Sequence, residues 1–314
     1  MRLKHPATLF APTLLLVLIL LSNLSNDLLN LTDTYDNTIF LSIIVVQCVV
    51  FLLPCAFYCR MRGIKGAFVP ALLPVRLSRV LLLISGILVF VVGFLLLTCL
   101  GYYMGANSFL STVSVVSVPT FTDNPVLLFL CFACLPAVMD EIVLRCMLLS
   151  EYAPLGGFIS VFTAGLFTTL IYYDTPATLP LLLFVGIFCA ALTYMTRSVL
   201  PALALRIVSV SFLLFLEDDY FTYLDRCGRT LLFPYLLTVL LFVFLFFFFG
   251  RAQAAYAEAP GEESPYKTLE KLTAATSSAP REQTSMVRKL REATVTPGFL
   301  LFCAIAVLKI LTLI

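Results

Sequence analysis

The sequence is poor in charge, in histidine and in tryptophan. Lys, Arg, Asp and Glu together make up 12% of 314 residues, about half the share of a soluble domain. Net charge is +2, so there is no broad basic field of the kind that binds nucleic acid. The one histidine, His5, excludes a multi-histidine metal site within the chain. Tryptophan is absent, which leaves the anchoring of helices at a lipid–water boundary to tyrosines such as Tyr102, Tyr103, Tyr172 and Tyr173. No glycine-rich phosphate loop and no internal repeat is visible. Nothing in the residues calls for a cofactor or a metal.

What is present is hydrocarbon. Apolar residues reach 61%, and a soluble core of this length would need far more polar surface to cover it. The reading is all-α: a polytopic transmembrane bundle of about nine spans. The apolar runs lie at 7–24, 38–59, 78–101, 125–150, 156–173, 178–195, 198–216, 230–249 and 297–314, each near the ~20 residues that cross a bilayer. Nine of the ten cysteines fall in or beside these runs, where a thiol behaves as a small hydrophobe. Cys131 and Cys134 have the spacing of a redox pair, but inside a span they read as core. Cys227 alone lies in a polar stretch.

Loop charges orient the bundle. Arg2 and Lys4 place the N-terminus in the cytoplasm, as Arg60, Arg62, Lys65, Arg76 and Arg79 do for the loop after the second span. The chain therefore starts inside and ends outside. The acidic stretch 217–229 reads as an outside loop and a possible partner-docking surface. Phe246–Phe249 reads as the inner end of a lipid-facing helix. The chain divides into a bundle over 1–249, a cytoplasmic linker with short helical pieces over 250–296, and a C-terminal span at 297–314. Ser264–Pro265 has the form of a helix start, with Tyr266, Leu269 and Leu272 sharing a stripe.

Ionisable groups inside a span are costly and are functional candidates by default. The fourth run carries Asp140, Glu141 and Arg145 in the string Leu135-Pro-Ala-Val-Met-Asp-Glu-Ile-Val-Leu-Arg. Glu141 and Arg145 share a helix face, acid before base, and Asp140 turns about 100° away. Pro136 loosens the helix ahead of them. Arg206, midway along the seventh run, is a further buried charge. The set reads either as a network that locks two helices together or as a catalytic carboxylate with an orienting arginine.

Pro136-x-x-x-Asp140-Glu141-x-x-x-Arg145 resembles the first motif, Glu-Glu-x-x-x-Arg, of the CAAX-protease and bacteriocin-processing (CPBP, or Abi) family of intramembrane glutamate-type endopeptidases. The likeness covers about 125–216 and implies an eight-helix family bundle followed by the C-terminal span. The family's second motif, Phe-x-x-x-His, corresponds to Phe167-Thr-Thr-Leu-Ile171, with the histidine missing and Tyr172 and Tyr173 next. Its third motif corresponds to the stretch from Thr196 to Val210, with Pro201 in the lead-in, Arg206 at the histidine position and Val210 at the asparagine position.

The resemblance implies a base at Asp140 and Glu141, supported by Arg145, Phe167, Tyr172, Arg206 and Ser209. The departures weaken that chemistry. Asp140 stands where the family has glutamate, withdrawing the carboxylate by roughly 1 Å, a misplacement able to cost about two orders of magnitude. Losing an oxyanion donor costs about 10²–10³ in kcat, and both histidines are gone. The expectation is a catalytically degenerate family member that binds or scaffolds a membrane partner, such as a cell-wall enzyme or a sensor protein, in a bacterial plasma membrane. The alternative is an active intramembrane endopeptidase using Asp140 or Glu141.

Overall fold

A computed structural model describes residues 11–21, 37–62, 75, 79–106, 108–109, 124–173, 175–227, 232–257, 290–291 and 293–313. Among them the chain is helical with no strand. Its helices are α1 (Ala11–Leu21), α2 (Asn37–Arg62), α3 (Val80–Tyr103), α4 (a continuous run from Pro125–Leu128 to Leu149–Tyr152), α5 (Gly157–Tyr172), α6 (Leu179–Thr196), α7 (Leu200–Phe215), α8 (Glu217–Arg226), α9 (Leu232–Ala257) and α10 (Pro297–Leu313). Each of the nine apolar runs overlaps one of these helices. Among the described residues five helices (α2, α3, α4, α6 and α9) are long and apolar enough to cross a membrane, or six if α7 and α8, bent by 65°, count as one span. The protein is a multi-pass membrane protein. Residues 258–289, with Ser264 and its stripe, lie outside the described residues.

The stretch 217–229, expected as a loop, is helical over Glu217–Arg226. Glu217, Asp218 and Asp219 occupy its first turn and Arg226 its last, which suits the helix dipole at both ends. Phe221 and Leu224 are buried beneath it, so an acidic sequence still has an apolar face to dock. Cys227 caps this helix rather than sitting in a loop. The eighth run also continues past 249, since α9 stays helical to Ala257.

Two cores flank the centre of the molecule. One joins α1, the end of α2, the second half of α4, α5 and α10. The other joins α3, α6, α7, α8 and one face of α9. Without a hydrophobic force between helices in lipid, close backbone approach does the work of packing. The tightest such approach is between α5 and α6: a Cβ on Gly186 would stand 2.8 Å from the Gly165 carbonyl oxygen. Gly165 and Gly186 thus let two backbones touch, and this crossing supports the polar centre described next.

Candidate functional site

The polar centre is built on an irregular helix. Asn124 caps α4 by accepting from the Leu127 amide at 3.2 Å, with Pro125 in the first turn. The winding then widens to a π-helix over Phe129–Cys134, returns to α over Leu135–Glu141, and widens again over Ile142–Leu148. Pro136 donates no amide hydrogen bond and would crowd the carbonyl of Phe132 in a regular helix. The wide turn just before it relieves that conflict. Such turns recur at functional sites, and here a pair of them brackets Asp140 and Glu141.

The two acids take different partners, as their 100° separation requires. Asp140 faces α5 and α7. Its Oδ2 accepts a hydrogen bond from the Tyr172 hydroxyl and lies 3.6 Å from Arg206 Nη2. The Arg206 guanidinium also sits over the Tyr172 ring, 5.0 Å from its centroid, a cation–π arrangement. Asp140, Tyr172 and Arg206 thus form a closed triangle across three helices.

Glu141 faces Arg145, with Oε2 3.5 Å from Nε. Neither of these atoms makes a hydrogen bond. The wide turn over Ile142–Leu148 shifts the i,i+4 register, so the pair meets by charge without a directed bond. Arg145 Nη1 instead donates to Thr168 Oγ1 at 3.1 Å, and Nη2 donates to the Gly186 carbonyl at 3.3 Å. Thr168 lies on α5 and Gly186 on α6, so one guanidinium ties α4 to the close crossing of those helices. All four charged side chains are buried, a setting in which removing one partner costs far more than the pair contributes net.

A cavity of about 20 Å³ adjoins Asp140, lined otherwise by Leu15, Leu18, Ile19, Phe51, Val143, Leu144 and Ile171. It has room for about one water. Ile171, at the position where the family pattern has histidine, is therefore a wall of the space beside the carboxylate. Arg206, at the other histidine position, is the Asp140 partner.

The structure thus brings together Asp140, Glu141, Arg145, Tyr172 and Arg206. It places Phe167 elsewhere, fully buried against Tyr152, Phe299 and Phe302, with ring centroids 6.2, 5.6 and 4.9 Å away. Phe167 therefore joins α5 to α10. Ser209 donates to the Arg206 carbonyl at 2.9 Å within its own helix, and so steadies the turn that carries Arg206. Thr168 and Gly186 escaped sequence reasoning. A threonine within a span bonds its own helix as a rule, and Thr168 does so to Ala164 at 2.8 Å. A glycine used for its carbonyl has no side-chain signal at all.

A family model described as type II CAAX prenyl endopeptidase Rce1-like matches residues 122–212. That span holds every member of the polar centre. No curated protein and no solved structure matches the chain. The segment 122–212 is thus similar to the type II CAAX prenyl endopeptidases of the Rce1-like kind.

Proposed function

We propose that this protein is a catalytically degenerate relative of the CAAX endopeptidases that binds and holds a membrane partner through its bundle without cutting it. The observation that carries the reading is the engagement of Asp140: the oxygen that would accept a proton from water is already held by Arg206 and Tyr172. Glu141 is likewise committed to Arg145. Ile171 stands beside the carboxylate where an imidazole would serve, and no histidine lies in any span to replace it. The residues that persist are the ones that hold helices together. On this reading 1–249 forms the partner-binding bundle, 250–296 a cytoplasmic linker and 297–314 a further span, in a bacterial plasma membrane with the N-terminus inside and the C-terminus outside.

One observation favours the active alternative, an intramembrane endopeptidase using Asp140 or Glu141. The cavity beside Asp140 has room for about one water, and Tyr172 is a donor within reach of the same carboxylate. A rescue experiment separates the two readings. A strain lacking the gene receives the wild type, Asp140→Asn, or Asp140→Asn with Glu141→Gln, at matched protein levels, and its phenotype and membrane proteome are compared. Full rescue by the doubly neutralised protein supports binding without cleavage. A membrane protein that accumulates uncut in both the deletion and the variants establishes a protease.

A further inference from the structure

Arginines gather at the end of the bundle where α3, α6 and α9 meet. A Cβ on Gly86 of α3 would stand 2.9 Å from Leu192 of α6 and 3.3 Å from the Phe248 ring of α9, so these residues mark one level. α9 runs antiparallel to α3, with Leu237 in the cluster of Val92 and Leu96 and Phe248 at Gly86. From the marked level toward the same end, Arg79 lies about 10 Å on, Arg197 about 7 Å and Arg251 about 5 Å, at 1.5 Å per residue. Their heights differ by about one helical turn.

The charge at this end is one-sided. α3, α6 and α9 contain no Asp or Glu, and the connection leading into Arg79 adds Arg60, Arg62, Lys65 and Arg76 without an acid. Glu151 ends α4 on this side but is buried beside Cys59, a residue of the other core. Arg79 is buried, and its Nη1 donates to the Met195 carbonyl at 2.7 Å, which holds the end of α6 against α3. Arg197 follows two residues later, half-buried and left-handed at φ 59°. Arg251 is exposed and makes no ion pair among the described residues. It shares a helix face with Phe247 and Leu240, both exposed.

A guanidinium at the edge of an apolar surface carries five donors that need acceptors, and in a bilayer the acceptors at that depth are headgroup phosphates. We propose that this corner binds an anionic phospholipid, its phosphate held by Arg251 within the field of Arg197 and Arg79, and an acyl chain lying along Phe247 and Leu240. The planar fork of Arg251 matches phosphate with two parallel bonds. A cluster of arginines without an acid favours a net negative headgroup over a zwitterion, whose ammonium it repels. The corner shares no residue with the polar centre, so the inference stands whether that centre cuts a substrate or only holds a partner.

The full-length protein in neutral detergent micelles is titrated with phosphatidylglycerol or with phosphatidylcholine of the same acyl chains, and native mass spectrometry counts the lipid retained. The wild type is expected to keep phosphatidylglycerol in preference. Arg251→Gln is expected to bind it about five-fold more weakly, the factor that corresponds to ~1 kcal/mol for one basic residue at an anionic surface. Arg251→Lys keeps the charge and most of the binding. Arg197→Asn, which suits the left-handed backbone, weakens binding in the same direction. Arg226→Gln, an exposed change on α8 at the far end, leaves it unaltered. Equal retention of the two lipids overturns the proposal, as does an Arg251→Gln protein that binds like the wild type. An equal loss from Arg226→Gln overturns it too, because diffuse charge then explains the binding. Displacement of the lipid by millimolar inorganic phosphate would replace the phospholipid with a soluble anion.

Discussion

α4 and α9 are helices of similar length and similar apolar content, yet the molecule uses them in opposite ways. α4 has two wide turns, a proline, an acid pair and Arg145, and half of its span is buried. α9 is regular throughout, and most of its span is exposed, with Tyr235, Phe242, Phe246, Phe247 and Phe249 facing outward. Its buried face lies against α3 and α6, where the Phe248 ring lies tilted against Phe188, centroids 5.6 Å apart. The lesson is one of solvent. In a bilayer an apolar surface is satisfied by lipid or by protein alike, so apolar content does not tell which helix is interior. Charge does, because a buried ion persists only where partners surround it.

The sharpest way to break this contrast is a matched pair of truncations. Glu141→Ala leaves Arg145 buried without its counter-ion and is expected to destabilise by about 3–5 kcal/mol. Phe246→Ala, a larger loss of volume on the exposed side of α9, is expected to stay within about 0.5 kcal/mol. Thermal unfolding in nanodiscs, backed by steady-state protein level, reads both. Similar losses from the two would mean that α9 is as interior as α4. The next effect in size is at the helix crossing. Gly186→Ala drives a Cβ to 2.8 Å from the Gly165 oxygen and moves the carbonyl that accepts from Arg145. Overpacking of that kind costs about 1–3 kcal/mol.

Asp140→Asn removes the charge facing Arg206 but keeps an oxygen in place, and is expected to be milder than Glu141→Ala, about 1–3 kcal/mol. The amide oxygen can still accept from Tyr172, and Arg206 keeps its place over the Tyr172 ring. The ratio of the Glu141 and Asp140 effects in the same unfolding assay sharpens the comparison within α4 itself. A deficit at Asp140 as large as that at Glu141 would make the triangle with Arg206, and not the Glu141–Arg145 pair, the lock of the bundle.

Much of this was legible in the sequence, for reasons that differ by residue. Apolar runs located the helices because a bilayer imposes their length. The Asp140–Glu141–Arg145 string located the centre because a charge within a span is conspicuous, and Arg206 emerged for the same reason. α8 was missed because its five charged residues outweigh its two buried apolar anchors in any reading by polarity. Phe167 was assigned to the centre through the family pattern, yet its ring faces α10, a contact made across more than a hundred residues that periodicity cannot see. Gln47 was missed because one amide in a 26-residue helix looks unremarkable. It is buried on α2, and among the described residues its Oε1 has no hydrogen-bond partner. Unlike the acids of α4, its oxygen faces no cation and no donor among the described residues. Gln47→Leu should therefore be neutral or stabilising by up to about 1 kcal/mol. A clear destabilisation would place an unseen polar partner beside it.

The smallest effect tests the comparison at the rim, where a carboxylate has only neutral partners. Glu217 opens α8 and is nearly fully covered. It accepts from the Phe109 amide and, at 3.0 Å, from the Ser108 hydroxyl, which pins the chain after α3 to the α7–α8 bend. Among the described residues no cation pairs with it as Arg145 pairs with Glu141. Burial therefore pushes its carboxyl up to about 6, although the two hydrogen bonds pull the other way. The sign follows from linkage. A carboxyl whose pKa is higher in the folded state than in the unfolded chain binds its proton more tightly when folded. Its stabilising share is complete below the unfolded value, 4.5, and is lost as pH rises through about 6. Glu217→Gln keeps the shape and cannot ionise, so it escapes that loss. The melting temperature of Glu217→Gln relative to wild type should therefore rise between pH 4.5 and pH 7.5. A flat difference across that range would mean that the Phe109 and Ser108 donors satisfy the ionised carboxylate as fully as an arginine satisfies Glu141.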